Sequence, residues 1–83
     1  MELDFTKHAR DALEERQIPV EWVARVVTAP ARIGPDAEDP ALEHFLARIE
    51  EHGDRVLRVV VNPSVRPMLV ITAFFDRRIR SLP

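Results

Sequence analysis

Apolar residues change their period along the chain, and the change falls near Pro30. Before it, two helical patterns run in succession. Thr6 is placed to cap a helix whose narrow apolar side is Ala9, Ala12 and Leu13, with Glu14, Glu15 and Arg16 covering the rest. Gln17-Ile18-Pro19 interrupts it, because proline lacks a backbone donor and is tolerated only near a helix start. From Val20 to about Thr28, residues Val20, Val23, Ala24 and Val27 fall at i, i+3, i+4 and i+7, and Trp22 and Val26 widen the stripe until Pro30 stops it. Residues 33–40 read as a loop punctuated by Gly34-Pro35 and Asp39-Pro40.

The segment 42–50 carries two readings. Leu42, Phe45, Leu46 and Ile49 match a helical stripe, which periodicity slightly favours, whereas Phe45, Ala47 and Ile49 alternate like one face of a strand. Beyond it, Val56–Val61 and Met68–Phe75 are β-branched and aromatic, and the connector 62–67 holds two prolines. Only Thr72 interrupts the second run, which predicts a central strand covered on both faces. Helices first and strands after them predict an α+β fold with the helices on one sheet face.

Size and composition narrow the function classes. The 83 residues are expected to form a single small domain over 1–83, of modest stability unless a partner chain covers part of it. Zero cysteine excludes disulfides, thiol catalysis and thiolate metal sites, and suits a reducing, cytoplasmic setting. The opening residues 1–8 are too polar for a signal peptide, and no apolar run approaches the ~18 residues of a membrane span. The formal charge is −2, so the whole molecule does not advertise nucleic-acid binding. Its distribution matters more. Residues 1–42 carry five bases and nine acids, while residues 43–83 carry seven bases, all arginine, and five acids. Arginine's planar fork suits phosphate, and the plainer account of the same residues is a high-GC codon bias.

Candidate chemistry is sparse. His8, Ala12 and Arg16 recur at i+4 on the first helix, so an imidazole and a guanidinium could overlook one edge of the sheet; the plainer reading has His8 bonded to Asp11 or Asp4. His8, His44 and His52 form no close-spaced pair, so no metal and no cofactor is expected. Ser64 and Ser81 lack a nucleophile-elbow context, and two glycines in all leave no phosphate-cradling loop. The Trp22 and valine stripe reads as core before it reads as a ligand groove.

The order of several short motifs resembles a known family. Phe5-Thr6-Lys7-His8-Ala9, Glu15-Arg16-Gln17-Ile18 and Trp22-Val23, followed by Arg55–Val61 and Val70–Arg78, resemble the bacterial domain of unknown function 4258 across almost the whole chain. The sequence departs from it at Gln17, where glycine is usual, and at Pro19, where serine caps the second helix. That family looks related to the BrnT- and RelE-type ribonucleases of toxin–antitoxin pairs. The resemblance implies a short N-terminal strand or arm and two helices on one face of a curved three- or four-stranded antiparallel sheet. It also implies that Glu43–Ile49 is a strand, in a hairpin to Asn62 that turns near Gly53-Asp54.

It implies, further, a metal-independent endoribonuclease in which the substrate's 2′-hydroxyl attacks the adjacent phosphate. By position, His8 would be the acid/base, Arg16 and Arg58 would hold the phosphate, and Arg77 would serve on the last strand. Arg58 and Arg77 should then share a sheet face, with the His8 end of the first helix nearby. The partners would be RNA and an antitoxin-like protein covering the arginine surface. The alternative is a non-catalytic interaction, regulatory or homodimerising module on the same fold, since fold alone does not decide function.

Overall fold

A computed structural model describes residues 2–82. The elements follow as β1 (Leu3–Phe5), α1 (Lys7–Arg16), α2 (Val20–Thr28), β2 (Arg32–Pro35), β3 (Glu43–Ile49), a 3₁₀ turn (Glu50–His52), β4 (Arg55–Asn62) and β5 (Met68–Phe75). The five strands form one open sheet in the order β1-β5-β4-β3-β2, with β1 parallel to β5 and the remaining pairs antiparallel. The fold is α+β with two helices, as the sequence predicts, but the sheet is mixed and has five strands rather than three or four antiparallel ones.

The two edge strands each have a local cause, and the first is the short N-terminal strand that the resemblance implies. β1 is the N-terminal arm, held parallel to β5 through Leu3↔Met68 to Phe5↔Val70. Parallel pairing is open to it because α1 and the rest of the chain make the crossover. β2 lies in the segment expected to be loop. Its Gly34-Pro35 hides any strand pattern, yet Pro35 is tolerated because an edge strand has one side without a ladder partner.

Segment 42–50 holds the strand β3, paired from Glu43↔Val61 to Ile49↔Arg55. The helical periodicity of Leu42, Phe45, Leu46 and Ile49 loses to sheet pairing, since β4 needs hydrogen-bonded neighbours on both sides. The hairpin turns through the 3₁₀ turn and then Gly53 (φ 65°) and Asp54 (φ 60°), both left-handed. β4 is the central strand and is almost continuously buried; β5 lies one place nearer the edge, and Ile71 and Phe74 remain half-exposed.

The core lies between the helices and one sheet face. Ala9 and Leu13 of α1 and Val23, Val26 and Val27 of α2 meet Phe45, Ile49, Leu57, Val59, Val61, Val70 and Ala73. Val20, expected in the α2 stripe, is instead 51% exposed at the helix start. Thr6 joins α1 to the sheet. Its Oγ1 accepts from the Ala9 amide at 3.0 Å and donates to the Ile71 carbonyl at 3.3 Å, while its amide donates to the Val70 carbonyl at 3.1 Å.

The opposite sheet face has no helix over it, yet Leu46, Val56 and Val60 are buried there. The chain beyond β5 returns across this face, held where Arg48 donates to the Arg80 carbonyl (3.0 Å) and Arg32 to the Ser81 carbonyl (3.4 Å).

The two departures from the family motif fall at helix ends. Pro19 is the N-cap of α2 and makes no side-chain capping bond. Gln17 closes α1 at φ 56°, ψ 47°, a left-handed position that costs an L-residue roughly 1–2 kcal/mol and that glycine occupies freely. Gln17→Gly is therefore expected to stabilise the fold by about 0.5–1 kcal/mol, the relieved strain less glycine's greater unfolded-state entropy. Leu57→Ala, at a fully buried position on β4, should cost about 2–5 kcal/mol. Chemical denaturation measures both.

Candidate functional site

Side chains on the helix-free face of β3 and β4 include His44, Arg48 and Arg58, because alternate residues of paired strands share a face. A continuous polar chain crosses this face. Asp36 Oδ1 lies 2.7 Å from His44 Nε2, His44 Nδ1 lies 2.8 Å from an Arg58 Nη1, and Arg58 Nε lies 3.0 Å from Asp76 Oδ2. Arg78 completes it, its backbone amide and Nε reaching Asp76 Oδ1 and its Nη2 reaching Oδ2. A guanidinium only donates, so Nδ1 of His44 accepts and the ring proton is on Nε2, donated to Asp36. Both ring nitrogens of His44 are thereby committed within the protein.

Asp76 is the buried charge of this chain, 4% exposed. Arg78, followed by the Arg58 contact, holds its carboxyl far below the ordinary carboxylate range against the opposing effect of burial. At the other end, hydrogen bonds from His44 and from the Asp39 and Glu38 amides lower Asp36 to about 2. The ion pair of Glu51 with Arg25 likewise lowers that carboxyl to about 2.

Arg58 is thus anchored on both sides, to Asp76 and to His44. Arg16 stands at the end of α1 and donates to the Ala73 carbonyl (2.9 Å), occupying an outward-facing group of β5 beyond the reach of β1. His8 is exposed at the start of α1, on the helix side of the sheet, and Asp11 pairs with Lys7 instead. The sheet therefore separates His8 from Arg58, and the expectation of one shared site does not match this geometry. The reason is register: position 58 falls on the face that α1 does not cover.

Arg77 follows β5 and lines a cleft of about 410 Å³ at the end of the sheet, together with Arg48, Asp54, Arg55, Val56, Phe75, Asp76, Ile79 and Arg80. Arg48 donates to the Asp54 and Arg80 carbonyls. The guanidinium groups of Arg55, Arg77 and Arg80 have no hydrogen-bond or ion-pair partner among the described residues. Four arginines face two carboxylates here, and Asp76 is already neutralised by Arg58 and Arg78, which leaves the cleft cationic on a chain of net charge −2. Among the described residues no group of three or more His, Asp or Glu is placed to hold a metal, and no helix is long and apolar enough to cross a membrane.

His44 and Asp76 were not legible as site-forming residues in the sequence. His44 lies in the segment of ambiguous period, and only the register brings it beside Arg58. Asp76 did carry a signal: a carboxylate ending an apolar strand and followed by Arg77-Arg78.

Residues 5–75, most of the chain, match the family described as Domain of unknown function (DUF4258). No curated protein and no solved structure matches it.

The arginines should separate by role when substituted. Removing Arg58 strands a buried carboxylate, and Arg58→Ala is expected to cost about 3 kcal/mol, the low end for breaking a buried pair because Arg78 remains. Arg55→Ala and Arg77→Ala should stay within about 0.5 kcal/mol of the parent protein in the same denaturation measurement.

Acid should weaken the fold in a defined window. A depressed carboxyl stabilises the folded state above its ordinary value near 4, and that contribution is lost as pH falls towards about 2. Thermal unfolding followed from pH 5 to pH 2 should show the loss, and Asp36→Asn should remove the Asp36 share while leaving that of Glu51.

Proposed function

The chain belongs to the DUF4258 family, and we propose that it binds the phosphate backbone of single-stranded RNA through the arginine-lined cleft, as a non-catalytic interaction module. The observation that carries this reading is the set of three unpaired guanidinium groups, Arg55, Arg77 and Arg80, around one opening. A planar fork with free donors grips a phosphate bidentately, and removal of one such charge-assisted contact weakens binding substantially. Rigid support comes from behind, where Arg58 and Arg78 fix Asp76 and Arg48 fixes the returning chain. The choice of RNA among phosphate ligands is supported by the resemblance to BrnT- and RelE-type toxins. An antitoxin-like partner, in this reading, would cover the same arginines. Absence of cysteine suits a cytoplasmic RNA.

A second reading, metal-independent RNA cleavage, is favoured by His8, which is exposed at the start of the helix whose other end carries Arg16. In it the 2′-hydroxyl attacks the adjacent phosphate, His8 moves the proton, and the products end in cyclic phosphates.

One experiment addresses both readings. Labelled single-stranded RNA is titrated by fluorescence anisotropy over a salt series without metal, and the same samples are run on a denaturing gel. Binding should weaken roughly tenfold in Arg55→Ala and in Arg77→Ala, with the salt slope reduced by about 0.7 each. Arg66→Ala, in the β4–β5 connector, should leave it unchanged. No binding, or binding indifferent to Arg55 and Arg77, overturns the proposal. Cleavage that falls by about 10²-fold or more in His8→Ala replaces it with the ribonuclease reading.

A further inference from the structure

Three rings pack together at the same end of the sheet as the cleft. His52 stacks on Phe75 with ring centroids 4.3 Å apart and an interplanar angle of 26°. Trp22 meets Phe75 edge-on at 6.1 Å and His52 at 5.7 Å. Phe75 also lines the arginine cleft, so the aromatic group and the cationic opening share a wall.

The local chain is shaped to hold His52 there. Arg25 of α2 grips Glu51 through two bonds of 2.8 and 2.7 Å, which ties the 3₁₀ turn to the helix that carries Trp22. Gly53 and Asp54, both left-handed, then reverse the chain into Arg55, a cleft residue. His52 itself is exposed, and its ring makes no hydrogen bond among the described residues. An exposed imidazole held by stacking alone has polar edges and part of its surface available to a ligand.

We infer that Trp22, His52 and Phe75 form a base-stacking subsite contiguous with the arginine cleft, so that the ligand is a single-stranded nucleic acid read as base plus phosphate and not a bare polyanion. The inference rests on the backbone binding proposed for the cleft, and it adds a contact to the bases. Aromatic side chains stack on any nucleobase, which gives affinity without strict sequence preference, and adjoining guanidinium groups hold the backbone. Placing both on either side of one phenyl ring puts them within the span of neighbouring groups on a strand.

Trp22 is the single tryptophan, so its emission reports on the subsite directly. The test compares an oligouridylate with an abasic oligonucleotide of equal length and with inorganic polyphosphate, each titrated at one salt concentration. The base-bearing strand should quench or shift Trp22 emission and bind at least fivefold tighter than the abasic strand. His52→Ala should abolish that preference while abasic affinity is kept, His52→Phe should retain it, and Arg77→Ala should weaken both strands alike. Equal affinity for abasic and base-bearing strands with unchanged Trp22 emission overturns the subsite and leaves phosphate binding standing. Failure of every polyanion to bind overturns phosphate binding and the subsite with it.

Discussion

A carboxylate taken out of water must be paired, and in this protein that requirement, set by Asp76, organises the helix-free half of the molecule. Asp76 sits where β5 ends, so its partners come from β4 (Arg58) and from the returning chain (Arg78). Arg58 has donors to spare, and one of them fixes the tautomer of His44, whose other nitrogen reaches Asp36 beyond β2. Four consecutive strands or their flanks are thereby linked across one face by charge-assisted bonds. A buried pair is not in itself a large source of stability. Its effect here is positional: the chain after β5 has a fixed starting point, from which it runs past the cleft to the donors Arg48 and Arg32.

That arrangement divides the arginines. Arg16, Arg32, Arg48, Arg58 and Arg78 each donate to a carbonyl or carboxylate of the fold, whereas Arg55, Arg77 and Arg80 present their guanidinium groups to the cleft. Composition alone cannot make this distinction, because Arg48, Arg58 and Arg78 of the first set lie in the same basic half of the sequence as the whole of the second. Charge separation between the acidic first half and the basic second half thus becomes a spatial feature. The chain as a whole is slightly acidic, yet the end of the sheet where Phe75, Arg77 and Arg80 follow one another is cationic and bordered by aromatic rings.

Much of the framework was legible in the residues. Thr6 announced the start of α1 and fulfils that role, and the Val23/Val27 spacing placed α2 against the sheet. The β-branched run 56–61 read as a strand because every residue but Arg58 is apolar, and the hairpin turn was visible at Gly53-Asp54. β2 was not legible: a four-residue edge strand containing Gly-Pro takes its conformation from β3, not from its own pattern. The candidate site was harder still. Arg77 came only from what the family resemblance implies, and the separation of Arg58 from His8 depends on which face position 58 occupies. That is fixed only by the pairing of Leu46 with Arg58. A one-residue change of register would have reversed it.

In the proposed mode of binding, Arg55, Arg77 and Arg80 take the phosphates, while Arg58 and Arg78 stay bound to Asp76. Arginine side-chain Nε–H resonances, followed by NMR while single-stranded RNA is added, separate the two sets. Arg55, Arg77 and Arg80 should shift progressively and saturably, while Arg58 and Arg78 keep the positions set by Asp76. Saturable shifts at Arg58 or Arg78 with none at the three cleft arginines would contradict it.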